Sequence, residues 1–134
     1  GEVRFTVDLR SHMESALDEL HSRLHSAVEQ ACAREGVTYT LEQVSDAKPA
    51  HLSVVLREVL EKEARARGIS TMTMISRAGH DTQIMATLTD AALIFVPSKD
   101  GRSHCPEEWT DYADLKQGAD VLLGAVLAVA EAER

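Results

Sequence analysis

The sequence predicts an α/β fold, and three observations carry that expectation. Val3, Phe5, Val7 and Leu9 alternate with polar residues at the period of a half-buried strand, and Val37, Tyr39 and Leu41 do the same. The run Ala92 to Val96 is wholly apolar, as a strand covered on both faces would be. Amphipathic stretches of helical period lie between these segments, and strands that alternate with helices define the α/β class.

Taken in order, the first strand ends at Arg10. Ser11 with Glu14 three residues on is a capping box, and Met13, Leu17, Leu20, Leu24, Val28 and Ala31 then recur at helical spacing until Gly36 offers a left-handed exit. The second strand completes a strand, helix, strand order over residues 1–44. Ser45 to Pro49 loses the periodicity and reads as a boundary. Val55, Leu56, Val59, Leu60 and Ala64 describe a helix that starts after Ser53 and is closed by Gly68. Ile69 to Ile75 is a Thr/Met strand with Met72 and Met74 in the core. A short helix from about Asp81 to Leu88 precedes the apolar run, which is expected in the middle of the sheet. A loop from Pro97 to Thr110 leads to a last helix, capped by Thr110 or Asp111 and built on Tyr112, Leu115, Ala119, Leu122, Leu123, Val126 and Ala130.

Composition narrows the function. The 134 residues carry 14 basic against 22 acidic side chains, a net charge of −8, which argues against a nucleic-acid partner because a phosphate backbone calls for a basic face. Residues 1–48 hold 5 basic and 9 acidic residues and residues 49–134 hold 9 and 13, so each part is −4 and charge does not separate them. No apolar run approaches the ~20 residues of a membrane span. Cys32 and Cys105, with no secretory signal in view, fit a reduced cytoplasmic setting. Gly1 leads at once into strand-like sequence, as though the chain began in mid-fold.

Ligands of an α/β sheet gather beyond the carboxyl ends of its strands, which directs attention to two loops. Ser76 to Asp81 runs into a helix, where Gly79 permits close backbone approach and free amides can meet an anion. Ser98 to Glu108 follows the buried strand and contains His104. A neutral imidazole there is a metal ligand if its second nitrogen is held by a neighbour, or else a loop side chain satisfied locally; the same choice applies to His80. His21 and His25 stand four apart on one helix, which is metal-pair spacing, but with no third ligand evident a solvated helix face is the expectation. His12 and His51, at element starts, are expected to cap or to face solvent. Cys105 as a nucleophile with His80 as its base lacks any thiolate-stabilising signal.

Three separated motifs, GEVRFTVDLRS at Gly1–Ser11, SRAGHD at Ser76–Asp81 and IFVPSKDGRSHCPEE at Ile94–Glu108, followed by Gly118 and Ala119, resemble the C-terminal part of the amidase/hydantoinase/carbamoylase family. These are metal-dependent N-carbamoyl-L-amino-acid hydrolases, allantoate amidohydrolases and β-ureidopropionases, related to aminoacylases and dinuclear-metal carboxypeptidases. The resemblance implies part of a dinuclear-metallohydrolase catalytic domain, from about residue 49 to 134, and half of an inserted α+β lid and dimerisation domain, residues 1 to about 48. It implies two divalent ions, zinc or manganese, in the full-length enzyme, a small-molecule substrate and a homodimer formed through the lid. His104, in Gly-x-Ser-His-x-Pro-x-Glu, is then a ligand to one metal. Arg10, in Asp-x-Arg, grips the substrate carboxylate, a task that suits a planar, permanently charged guanidinium. Ala78, Gly79 and His80 line the substrate pocket.

Arg77 stands where many carbamoylases have Gly, a departure closer to the allantoate and ureido types. It is either a second cation for a carboxylate or, slightly favoured, a structural partner of Asp81 or Glu107. The family's other metal ligands and its general base have no counterpart here, so no catalytic residue is assigned within the chain. The expected function is a fragment of an amidohydrolase that cleaves a carbamoyl or ureido C–N bond. The rival is a non-catalytic α/β module for dimerisation or small-molecule binding.

Overall fold

The computed structural model describes residues 1–132 and contains four α-helices: α1 (Glu14–Glu35), α2 (Val54–Ala66), α3 (Asp81–Met85) and α4 (Tyr112–Ala132), with a 3-10 turn at Lys99–Gly101. Among the described residues there is no β-strand, which corrects the α/β expectation. The four segments expected as strands, 3–9, 37–41, 69–75 and 92–96, carry no ladder. The physical reason lies in where each element finds its hydrogen bonds. A helix satisfies its own backbone from within one segment, whereas a strand exists only when a neighbour supplies donors and acceptors along its length. Period-two patterning therefore expresses a preference that this chain does not itself fulfil. The side chains agree: Val3 is 86% exposed and Phe5 75%, and Val37, Tyr39, Met72 and Met74 are also exposed rather than in a core. The run 92–96 is half-buried, with Phe95 exposed, not central to a sheet.

The chain divides into two compact units, residues 1–50 with 75–79, and residues 51–74 with 80–134. In the first, α1 starts at Met13 as its cap and ends at Gly36 in the left-handed region (φ 65°), as its sequence anticipates. The capping box does not form. The Ser11 hydroxyl instead accepts from the Met13 backbone N–H at 3.1 Å, while the Glu14 carboxylate pairs with Lys48 at 2.7 Å. That pairing draws the Glu14 carboxyl below its ordinary range, first through the hydrogen bond from Lys48 and then through its charge.

In the second unit Ser53 caps α2, its hydroxyl accepting from the Leu56 N–H at 3.4 Å, and Gly68 (φ 70°) turns the chain out. Helices α2 and α4 pack on each other, and Ala64, Val121 and Ala125 are the buried residues. Small residues on α4 make this approach close. A Cβ on Gly124 would meet the Glu63 carboxylate and the Arg67 guanidinium, and one on Gly118 would lie 2.6 Å from Val96 Cγ1. The periodicity located the helix but not its packed face: Leu115, Leu122, Leu123 and Val126, on which the pattern built it, are exposed, as is Val55 on α2. A helix apolar on most sides has no single face that its own pattern can select.

Large apolar side chains stand exposed in both units, among them Val3, Phe5 and Val37 in the first and Met72, Leu88 and Leu122 in the second. Much apolar surface is therefore uncovered by the chain itself. Among the described residues, no helix is long and apolar enough to cross a membrane.

The two glycines of α4 differ in what substitution does. The atoms that crowd Gly124 are ends of flexible side chains, but Val96 is β-branched and stiff at χ1. Gly118→Ala is expected to destabilise the second unit by about 1–3 kcal/mol through overpacking, outweighing the gain of up to ~1 kcal/mol from better helix propensity. Thermal unfolding of G118A, V96A and the double variant checks this: the double variant should recover part of the loss, because Val96→Ala removes the obstacle.

Candidate functional site

The expected site residues fall into both units. Arg10, Arg77, Ala78 and Gly79 belong to the first, and His80 and His104 to the second. Within the first unit the Asp8-Leu9-Arg10 segment forms a clamp on itself. Arg10 Nε donates to Asp8 Oδ1 at 3.1 Å and Oδ2 at 2.9 Å, and Arg10 Nη2 donates to Oδ2 at 2.6 Å. The remaining terminal nitrogen, Nη1, donates to the backbone carbonyl of Arg77 at 3.1 Å. The structure thus brings Arg10 and Arg77 together, through the main chain of Arg77. Ser76 shapes that presentation, its hydroxyl accepting from the Ala78 N–H at 3.2 Å and donating to the Ala78 carbonyl at 3.3 Å.

This clamp sets the electrostatics of the segment. The hydrogen bond from Arg10 is the largest cause holding the Asp8 carboxyl below its ordinary range; desolvation opposes it and the guanidinium charge adds to it. The same contact raises Arg10 further above its already high value. A guanidinium orientated in this way keeps a fixed plane without being buried, since Asp8 and Arg10 both remain exposed.

In the second unit His80 occupies the extended position before α3 (φ −139°, ψ 154°), its carbonyl accepting from the Gln83 N–H at 2.8 Å. Its ring meets Phe95 edge to face, with centroids 5.4 Å apart. His104 lies in the loop that joins residue 97 to α4. A backbone hydrogen bond, Lys99 N–H to the Trp109 carbonyl at 2.7 Å, pinches the base of that loop. Ser98 ties its interior, its hydroxyl donating to the Arg102 carbonyl at 2.6 Å. His104 itself adopts φ 57°, a left-handed conformation uncommon for a residue with a Cβ and found often at functional positions.

Two contacts hold it there. The His104 N–H donates to Glu108 Oε2 at 2.7 Å, and Nδ1 of the ring lies 2.9 Å from Ser103 Oγ. In the tautomer where Nδ1 carries the proton and donates to Ser103, Nε2 has its lone pair available, the arrangement a metal-binding imidazole requires. The left-handed backbone was not readable from the motif. Ser98 and Trp109 were also missed as the residues that close the loop; the only signal was their position at either end of a segment rich in Gly, Ser and Pro. A cavity of about 380 Å³ lies against the loop base, lined by Pro97, Ser98, Lys99, Trp109, Asp111 and Asp114. None of the six expected site residues lines it.

Among the described residues, no group of three or more His, Cys, Asp or Glu side chains converges as a metal site would. His104 can serve as one ligand in a larger set, and Cys32 and Cys105 are free, half-buried thiols.

The sequence profile described as peptidase family M20/M25/M40 matches residues 3–128, nearly the whole chain. The chain belongs to this family. It is 37% identical over 129 residues to an N-carbamoyl-L-amino-acid amidohydrolase of Paenarthrobacter aurescens, an alignment that covers 96% of this chain and 31% of that protein. An allantoate amidohydrolase of Bacillus subtilis is 29% identical over 122 residues, covering 91% of the chain and 30% of the relative. An N-carbamoyl-L-amino-acid amidohydrolase of Rhizobium meliloti is 35% identical over 131 residues, 98% of the chain and 32% of the relative. The resemblance to carbamoylases and allantoate amidohydrolases is therefore borne out, and the chain spans about a third of the length of these relatives.

The Asp8–Arg10 clamp gives this family member a measurable pH signature. Because the folded-state value of Asp8 lies below the unfolded one, the clamp's contribution is present above the ordinary carboxylate range and is lost as pH falls through the lowered value. Carboxyl-carbon NMR titration should find the Asp8 midpoint below the ordinary aspartate value, and Arg10→Gln should move it upward. An unmoved midpoint in R10Q would show that the hydrogen bond is not formed in solution.

Proposed function

We propose that this chain is part of a cytoplasmic, homodimeric amidohydrolase that cleaves the carbamoyl or ureido C–N bond of an N-carbamoyl-L-amino acid or an allantoate-like substrate. The observation that carries this reading is the match over nearly the full chain to relatives named for those two activities. The geometry of His104 supports it: a backbone held at φ 57° by Glu108, and a ring whose Nδ1 is engaged by Ser103.

Two divalent ions, zinc or manganese, would complete the site in the whole enzyme. Bound there, such ions polarise the scissile carbonyl and lower the pKa of a coordinated water so that hydroxide is available near neutrality. His104 would contribute one ligand through Nε2, with Ser103 accepting from Nδ1–H to fix the tautomer and the plane of the ring. The donor set in this chain fits one ligand position and no more, since no larger group of ligating side chains converges among the described residues. The remaining ligands and the general base would come from the two thirds of the relatives' length that this chain does not span.

Arg10 would hold the substrate carboxylate. Its guanidinium is already orientated by Asp8 and by the Arg77 carbonyl, so less side-chain freedom is lost when an anion binds. Ala78, Gly79 and His80 would line the pocket around the substrate. Arg77 would shape this region through its main chain, whose carbonyl positions Arg10.

In the whole enzyme, His104→Ala should lower the metal content from two ions per subunit by elemental analysis and remove nearly all activity. Two ions retained per subunit would remove His104 from the ligand set. Arg10→Lys, which keeps the charge but not the planar fork, should raise KM by roughly ten- to a hundred-fold, the value of one charge-assisted hydrogen bond, with a smaller effect on kcat. An unchanged KM for every carboxylate-bearing substrate would exclude Arg10 from binding.

A further inference from the structure

Helix α1 carries a pair of side chains that the proposed hydrolytic function does not use. His21 and His25 are separated by four residues and therefore project from one face of the helix, a spacing that lets two imidazoles reach one ion. The sequence alone left them as a solvated face, but the structure shows the two rings turned toward each other. Their centroids are 4.5 Å apart and their planes are inclined at 67°. Both residues are exposed, and among the described residues no hydrogen bond commits a ring nitrogen of either one.

We propose that His21 and His25 form a two-imidazole chelate for a single late first-row divalent ion of the nickel or zinc type, with water in the remaining positions. Ligand bonds of about 2.0–2.1 Å to two imidazole nitrogens demand rings that are neighbours without being stacked, and an inclined pair at this separation meets that demand with side-chain rotation alone. The helix supplies the preorganisation: with both Cβ atoms fixed by the α1 backbone, the second bond forms without the entropy of bringing two separate groups together. Imidazole nitrogens favour nickel, copper and zinc over magnesium or calcium, which take oxygen ligands. Asp18 and Glu29 lie three residues before and four residues after the pair on the same side of the helix, and their charge favours a cation over that face without adding to the converging ligands. The site is distinct from His104, which lies in the other compact unit, and does not rest on the proposed hydrolase activity.

Calorimetric titration of the full chain with Ni²⁺ tests the chelate, using His21→Gln, His25→Gln and the double variant, with helicity followed by circular dichroism to establish that each variant retains α1. The expected result is that either single substitution weakens binding by tenfold or more and the double substitution weakens it little further, because one missing imidazole already abolishes the chelate. Mg²⁺ should not compete. Affinity unchanged in either single variant, or single losses that simply add in the double variant, would overturn the proposal.

Discussion

The close approach of α2 and α4 is the constraint from which the second unit is built. Ala64 presents almost no side chain, Val121 and Ala125 fill the seam, and Gly118 leaves room for Val96, so the segment that leads into the His104 loop lies directly against α4. The loop that follows is anchored at both ends, by that contact and by the start of α4, where the Asp111 carbonyl accepts from Leu115 at 3.0 Å. A loop anchored so firmly at its base can hold a strained residue at its tip. The left-handed backbone of His104 persists because Ser98, Glu108 and the Lys99 to Trp109 hydrogen bond define the surrounding chain.

The same packing explains what is left uncovered. One side of α4 is spent on α2, and its larger residues, Leu122, Leu123 and Val126, face outward. A helix apolar on most sides is normally enclosed, and segments with strand patterning normally have partners. Both features accord with membership of a family whose curated relatives are about three times as long as this chain. On the proposed reading, the outer cover of α4 is supplied by that remaining length.

Each unit, taken by itself, carries a different kind of chemistry. The first offers a cation whose direction is set by its own neighbours, Asp8 and the Arg77 carbonyl. The second offers an imidazole whose Nδ1 is engaged by Ser103. In each case the partner that orientates the functional group lies close by in sequence or in the same compact unit, so the orientation survives although the chain spans only part of its relatives. Assembly of a metal centre is different in kind, because ligands from several distant segments must converge within about 2 Å of one point.

How much of this was legible in the sequence follows from the range of the interactions concerned. Helices α1, α2 and α4 were readable because their backbone bonds are local and their ends carry local signals: Ser53 caps α2, and Gly36 and Gly68 supply the left-handed turns. The Ser11 and Glu14 pairing was misread because Lys48, distant in sequence, takes the Glu14 carboxylate. Family membership was readable from motifs, but the clamp of Arg10 on the Arg77 carbonyl and the left-handed His104 were not. Sequence by itself determined which residues prefer helix, which alternate like strands and which bear chemistry. Tertiary structure alone decided that the alternating segments carry no ladder, that α4 turns its small residues to α2, and that His21 and His25 meet. The reason is that strand pairing, choice of helix face and ring orientation depend on what lies across space, and a pattern along the chain records only the preference.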